Sequence, residues 1–96
     1  MTTETSPNPK QAVFTTTFVL HQKSPIVQVI HDEDGDWHFL GAECDLASEH
    51  VMLVSLQQML DHDPSLAELL NLPEGTQAVR QNTLSAWKRS IFRRDN

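Results

Sequence analysis

The amino-acid sequence predicts an α+β fold, in which a small, mostly antiparallel sheet of four to five strands carries two short helices packed on one face. Three observations lead to this prediction. Segments rich in β-branched and aromatic residues dominate the first half of the chain, and two short leucine-rich segments with helix-start signals follow in the second half. A length of 96 residues, 39% of them hydrophobic, supports one small core rather than two.

Two segments near the N-terminus have the composition of strands. Residues 13–20, VFTTTFVL, are mostly β-branched or aromatic, and Phe14 and Phe18 fall on the same parity. We predict one strand over this segment and a second over residues 26–31, IVQVIH. Residues 1–11 are rich in Thr, Ser and Pro, so we expect a flexible leader before the first strand.

The stretch HDEDGDWHFL, residues 31–40, reverses the chain by one of two loop types. A two-residue turn at Asp34 and Gly35 pairs Ile30 with Phe39. The alternative is a longer loop, a type I turn followed by a G1 bulge, which shifts the pairing of the two strands.

The bulged loop fits the residue types and the apolar pattern better. It begins at Asp32 and places Gly35 in the left-handed conformation, and a type I turn prefers Asp at its first position and Gly at its fourth. It pairs His31 with Trp37. Register normally follows the apolar face, so we expect one face of the hairpin to collect Val27, Val29, Trp37 and Phe39.

Two helix starts are predicted in the second half of the chain. Ser55 is an N-cap residue before an apolar set at helical spacing, Leu56, Met59 and Leu60. Asp63 followed by Pro64 is a second N-cap signal, and it precedes another apolar set, Leu66, Leu69 and Leu70. Pro73 and Gly75 end this second helix.

The remaining segments complete the predicted domain of residues 12–81. The continuous apolar run at 51–54, VMLV, predicts a central strand, and residues 76–81 predict a strand at the edge of the sheet. Residues 82–96 form a basic C-terminal tail of ambiguous structure. A short helix is one interpretation of this tail, since three of its apolar residues have helical spacing, Leu84, Trp87 and Ile91.

The charge distribution argues against nucleic acid as a partner. The formal net charge is −6, and all 13 acidic residues except Asp95 precede Trp87, together with only three of the seven Lys and Arg. Phosphate binding needs clustered cations, which this acidic body lacks. No apolar run approaches the roughly 20 residues that span a bilayer, and a single cysteine, Cys44, is typical of a reducing compartment. We therefore expect a cytoplasmic protein that binds neither nucleic acid nor membrane.

No catalytic or cofactor signature in the sequence is complete. Acids at a turn tip are solvated and mobile, so they gain no advantage as general acids or bases. Cys44 and His50 lack a third group that orients them as nucleophile and base. We therefore expect a protein without enzymatic activity and without a cofactor.

A calcium loop is the first ion site that the turn suggests. Asp32, Asp34, Asp36 and Glu43 have the spacing of EF-hand positions one, three, five and twelve. The sixth position of that loop requires Gly for a sharp turn, and Trp37 occupies it here. The spacing therefore fails at the residue that the predicted core needs.

A metal- or small-ligand-binding regulatory domain is the runner-up hypothesis. His31 and His38 lie on adjacent predicted strands with Asp36 close by, and imidazole and carboxylate suit zinc. In the bulged register, however, the two imidazoles point to opposite faces of the sheet. They cannot then bind one ion without distortion.

The order of features over about residues 13–81 resembles a family of small bacterial domains of unknown function, some of which are grouped with the immunity proteins of polymorphic toxin systems. In that family a Trp-x-Phe strand leads to Gly-x-Glu, then to Asp-Pro-Ser before a leucine-rich turn, and then to Pro-x-Gly and a terminal strand. The matching residues are Trp37, Phe39, Gly41, Glu43, Asp63, Pro64, Ser65, Leu69, Leu70, Pro73, Gly75 and Arg80.

The resemblance implies a protein-interaction domain that inhibits a partner. An acidic surface around a small apolar anchor suits a basic, toxin-like partner, whose cleft it would occlude. We expect the chain to be a monomer or a weak homodimer. The predicted partner-binding residues are Asp32, Glu33, Asp34, Asp36, Glu43 and Asp45.

Overall fold

The computed structural model describes residues 8–42 and 50–92. These residues form one open mixed sheet of six strands with three short helices, which confirms the α+β class. In chain order, the elements are β1 (Ala12–Thr16), α1 (Thr17–His21), β2 (Gln28–His31), β3 (Trp37–Leu40), β4 (Val51–Ser55), α2 (Leu56–His62), the 3-10 helix η1 (Pro64–Leu69), β5 (Thr76–Val79) and β6 (Lys88–Ile91).

The sheet has the strand order β4-β1-β3-β2-β5-β6. All neighbouring strands are antiparallel except β1 and β3, which are parallel. The predicted number of four to five strands is therefore too low. The prediction of a central strand at 51–54 is wrong, because β4 lies at an edge, and β5 lies inside the sheet rather than at its edge.

The additional strand, β6, lies within the basic tail, so the helical interpretation of that region is wrong. Asn82 reverses the chain: its backbone carbonyl accepts the N–H of Ser85 at 3.1 Å, and its side chain accepts the N–H of Leu84 at 2.8 Å. The chain then returns along β5 as an antiparallel hairpin. Leu84 is 95% exposed, so its helical spacing with later apolar residues does not reflect a buried stripe.

The predicted strand over residues 13–20 ends earlier than its composition indicates. The Thr16 hydroxyl accepts the N–H of Val19 at 3.3 Å, and this N-cap begins α1 at Thr17. A Thr side chain at this position gives the backbone a partner that competes with the strand ladder. Local capping therefore overrides the β-branched composition of the segment.

The hairpin between β2 and β3 has the predicted bulged loop. Gly35 donates its N–H to the carbonyl of Asp32 at 3.0 Å and has a φ of +90°. His31 pairs with Trp37, and Val29 pairs with Phe39. The two-residue alternative is excluded, since it requires a different register.

Both predicted helix starts are confirmed. The Ser55 side chain accepts the N–H of Gln58 at 3.1 Å at the start of α2. Asp63 accepts the N–H of Ser65 at 3.1 Å, and Pro64 is the first residue of η1. The second helix is a 3-10 helix, a tighter form that is common in short segments.

The helices cover one face of the sheet, and the core lies between the helices and that face. Val19 of α1, Met59 of α2 and Leu66 of η1 are buried against strand residues that include Val29 and Phe39. Three residues of the predicted hairpin face are buried in this layer, Val29, Trp37 and Phe39. The fourth, Val27, lies before β2 and is only half-buried. Side chains alternate along a strand, so residues of the opposite parity form a second face, which we call the open face.

Candidate functional site

Asp32 lies at the junction of the turn and the sheet. Its side chain accepts the N–H groups of Asp34 and Asp36, at 2.9 and 3.0 Å, through Oδ1. Its Oδ2 lies 2.9 Å from Nε2 of His38. A carboxylate can only accept, so His38 donates from this nitrogen.

The expectation that Asp32 belongs to an exposed acidic surface is wrong. The residue is only 2% exposed, because its carboxylate turns inward to hold the loop. Burial alone raises the pKa of a carboxyl group, but the hydrogen bonds from His38 and from the N–H groups of Asp36 and Asp34 lower the pKa of Asp32 below its ordinary value. Asp32 is therefore a charged structural residue of the turn.

The other acids of the turn remain at the surface. Glu33, Asp34 and Asp36 are all exposed around the loop. They have the exposure that the acidic-surface hypothesis requires. Glu43 and Asp45, the remaining predicted partner-binding residues, lie outside the described residues.

A groove lies on the open face next to the turn. It has a volume of about 230 Å³ and opens to solvent. His38 lies along it and stacks on Phe14, with ring centroids 5.0 Å apart. We call it the open-face groove, and its apolar walls are Phe14, Ile30, Leu40, Val51 and Phe92.

The pairing of the strands explains this composition. Phe14 is opposite His38 in the parallel pair, and Ile30 is opposite His38 in the antiparallel pair, so all three side chains share one face. The apolar pattern of the sequence predicts the hairpin face directed at the helices but does not predict this one. The available signal was that Ile30 and Leu40, of the opposite parity, are also apolar.

The structure separates the two histidines of the runner-up hypothesis. His31 faces the helix layer, where its ring stacks on Trp37 at 4.0 Å and its Nδ1 donates to the carbonyl of Leu72 at 2.7 Å. His38 lies on the open face with Asp32. The sheet therefore stands between the two imidazoles, as the bulged register predicts.

Three carboxylates of the turn come close to one another. One oxygen from each of Asp32, Asp34 and Asp36 lies within 4.8 Å of the other two. The oxygens of Asp32 already accept hydrogen bonds from two backbone N–H groups and from His38. This donor set fits a cation poorly, since an ion would compete with the contacts that hold the loop.

A second polar cluster surrounds Arg80, a buried residue that directly follows β5. Its guanidinium lies 2.9 Å from Asp63 and donates to the carbonyl of Ile26 at 2.9 Å, and it stacks over the ring of Trp87 at 4.2 Å. Burial opposes the charge of Asp63, but hydrogen bonds from Ser65 and Arg80 lower its pKa below the ordinary value. These contacts connect the start of η1 to the residue that follows β5. We therefore assign a structural role to the cluster rather than a binding role.

Arg80 enters the predictions from sequence only through the family resemblance. One sequence feature does indicate that Arg80 forms a specific ion pair: it is one of only three cations among the first 86 residues, which are otherwise rich in acids. An acidic chain offers many carboxylates that could pair with this Arg, so the sequence does not identify its partner. The folded structure shows that the partner is Asp63.

Comparisons of the chain with known protein families, with curated proteins and with solved structures give no significant match. Among the described residues, none of the helices has the length and apolar character needed to cross a bilayer.

Proposed function

We propose that this chain is a non-enzymatic interaction domain that binds a protein partner, in the manner of an immunity protein, through the open-face groove and the acidic turn beside it. One observation carries the proposal: Asp32 lines an apolar groove, and the turn that Asp32 holds carries exposed carboxylates, those of Glu33, Asp34 and Asp36. An apolar centre with a charged border is the usual anatomy of a protein interface.

The groove supplies the anchor for a partner side chain. Ile30, which lines it, is buried, whereas Val51, which also lines it, is 42% exposed. The groove is too small for a drug-sized ligand, since such sites usually measure about 300–1,000 Å³. One apolar or aromatic side chain of a partner fits it, and residues of this kind carry most of the binding free energy at interfaces.

The acids supply selectivity for a basic partner. The exposed carboxylates of the turn add to a chain whose net charge is −6. A cationic surface is attracted over several ångströms, which speeds encounter and disfavours acidic competitors. Inhibition then follows from occlusion: the domain covers a basic cleft and performs no chemistry there. We also propose a cytoplasmic location, on the ground of the single cysteine.

Binding to a partner isolated from the native host tests the proposal. The chain is tagged, a captured protein is purified, and its affinity for three forms of the chain is measured by calorimetry. The first form is wild type, and the second is the double variant Glu33→Lys and Asp36→Lys. The third is a control with the same change in net charge on exposed helix residues, Asp61→Lys and Glu68→Lys.

We expect the turn variant to weaken binding on the order of tenfold at low salt, and the control to change it little. A further variant, Leu40→Asp, removes the apolar character of the groove and should abolish binding while the turn stays intact. Equal losses in the turn variant and the helix control would show that only net charge matters, and the proposed surface would be wrong. Inhibition of the captured protein's activity tests the immunity-like role.

A further inference from the structure

We propose that β4 pairs with the β4 of a second copy of this chain, so that two six-stranded sheets join into one. β4 is an edge strand, and within residues 8–42 and 50–92 no strand lies on its outer side. An open edge presents unpaired N–H and C=O groups that readily accept another strand.

The two edges of the sheet differ in how they resist such pairing. β6, at one edge, carries Lys88 and Arg89, and charged side chains are a common block to edge association. β4, at the other edge, has the sequence VMLVS and carries no charge. Leu53 is 62% exposed and Val51 is 42% exposed. Among the described residues, the apolar edge strand is therefore the one that carries no charged side chain.

Within the part of the chain that the structure describes, the backbone groups on the outer side of β4 lie in a pattern that suits pairing. Leu56 donates its N–H to the carbonyl of Gln11 at 2.9 Å, which continues the ladder between β1 and β4. Hydrogen-bonded and non-hydrogen-bonded pairs alternate along an antiparallel ladder. Residues 52 and 54 therefore point their backbone groups towards β1, and residues 51, 53 and 55 point theirs outward.

An outward pattern centred on Leu53 is self-complementary. A two-fold axis at this residue lets Leu53 exchange two N–H···O=C bonds with Leu53 of the second copy. Val51 then lies opposite Ser55 of the second copy, and the Val51 carbonyl receives that Ser55 N–H. The strand has five residues, so its central residue lies on the axis and both halves pair fully.

The side chains favour a second copy over an unrelated strand. On the open face, Leu53 would lie beside its own equivalent, and its exposed surface would be buried. On the helix side, Met52 would lie beside Val54. The paired β4 strands would bring no like charges together across the axis, because β4 has no charged residue, although the whole chain is acidic. Pairing of β4 with β6 of another copy would instead build an open-ended filament and bury two cations.

The oligomeric state of the full chain tests this inference. Light scattering after size-exclusion chromatography should give twice the mass of one chain for wild type. Leu53→Lys should give the mass of a single chain, because it places a charge at the centre of the pairing. Ile91→Lys is the matched control, since Ile91 is 64% exposed on the opposite edge, and this variant should remain dimeric.

Cysteine cross-linking tests the register independently of any destabilisation by lysine. In a Cys44→Ser background, Leu53→Cys should form a disulfide-linked dimer on mild oxidation, because the two-fold axis brings residue 53 close to its own equivalent. Val51→Cys should not, since Val51 lies opposite Ser55. A wild-type monomer at every concentration, a dimer unaffected by Leu53→Lys, or cross-linking at residue 51 in place of 53 overturns the inference.

Discussion

At the scale of single residues, Asp32 connects the acidic turn to the open-face groove. One buried carboxylate holds two backbone N–H groups of the loop and the ring of His38. The sequence predicted its place at the first position of the turn, because that preference depends on the local backbone alone. Its burial could not be predicted in the same way, since it depends on His38 lying on the same face.

Replacing Asp32 with Ala should destabilise the protein by about 2–4 kcal/mol, because the substitution leaves hydrogen-bonding groups of the loop and of His38 without their acceptor. Asp36→Ala removes a carboxylate of the same turn that is exposed, so it should change stability by less than about 0.5 kcal/mol. Urea unfolding monitored by tryptophan fluorescence measures both free energies. Similar losses in the two variants would contradict the role assigned to the Asp32 carboxylate.

At the scale of elements, features set by neighbouring residues were predictable and features set by distant ones were not. The start of α2 at Ser55 and the start of η1 at Asp63 follow from capping residues next to apolar residues at helical spacing. The early end of β1 carried the same kind of signal, an N-cap at Thr16, which its β-branched neighbours obscured. Residues 88–91 of the tail form β6 for a reason outside their own composition, because β5 pairs with them.

The conformation of the loop between β2 and β3 depends on the backbone freedom of Gly35. Its φ of +90° is a conformation that L side chains rarely adopt, and a Cβ there would lie 3.1 Å from Glu74 Oε2. Gly35→Ala should therefore cost about 1–2 kcal/mol of stability. Gly35→Asn should cost less, since Asn enters the left-handed region more readily. Thermal unfolding of the two variants compares them, and an Ala variant as stable as wild type would contradict the strain argument.

At the scale of the whole molecule, the strand order decides which surfaces are available. Sequence patterns indicate strands and faces, but they do not show that β1 inserts between β3 and β4. That insertion places β4 at an edge and gathers Phe14, Ile30 and Leu40 into one groove. The acidic residues were predictable from composition and turn chemistry, whereas the apolar half of the proposed site is a product of topology.

The stability of the whole molecule should depend on pH through two aspartates of its described part, Asp32, which is buried, and Asp63, which is half-buried. The pKa values of Asp32 and Asp63 are both lowered in the folded state. A lowered pKa stabilises the fold above the unfolded value of about 3.9, and this contribution is lost as the pH falls through the folded pKa. We therefore expect stability to decline from about pH 4 downward, and the decline to be shallower in Asp63→Asn, which has one titrating group fewer. Urea midpoints measured from pH 7 to pH 2 test this, and a midpoint that stays constant below pH 4 would show that neither carboxylate stabilises the fold in its charged form.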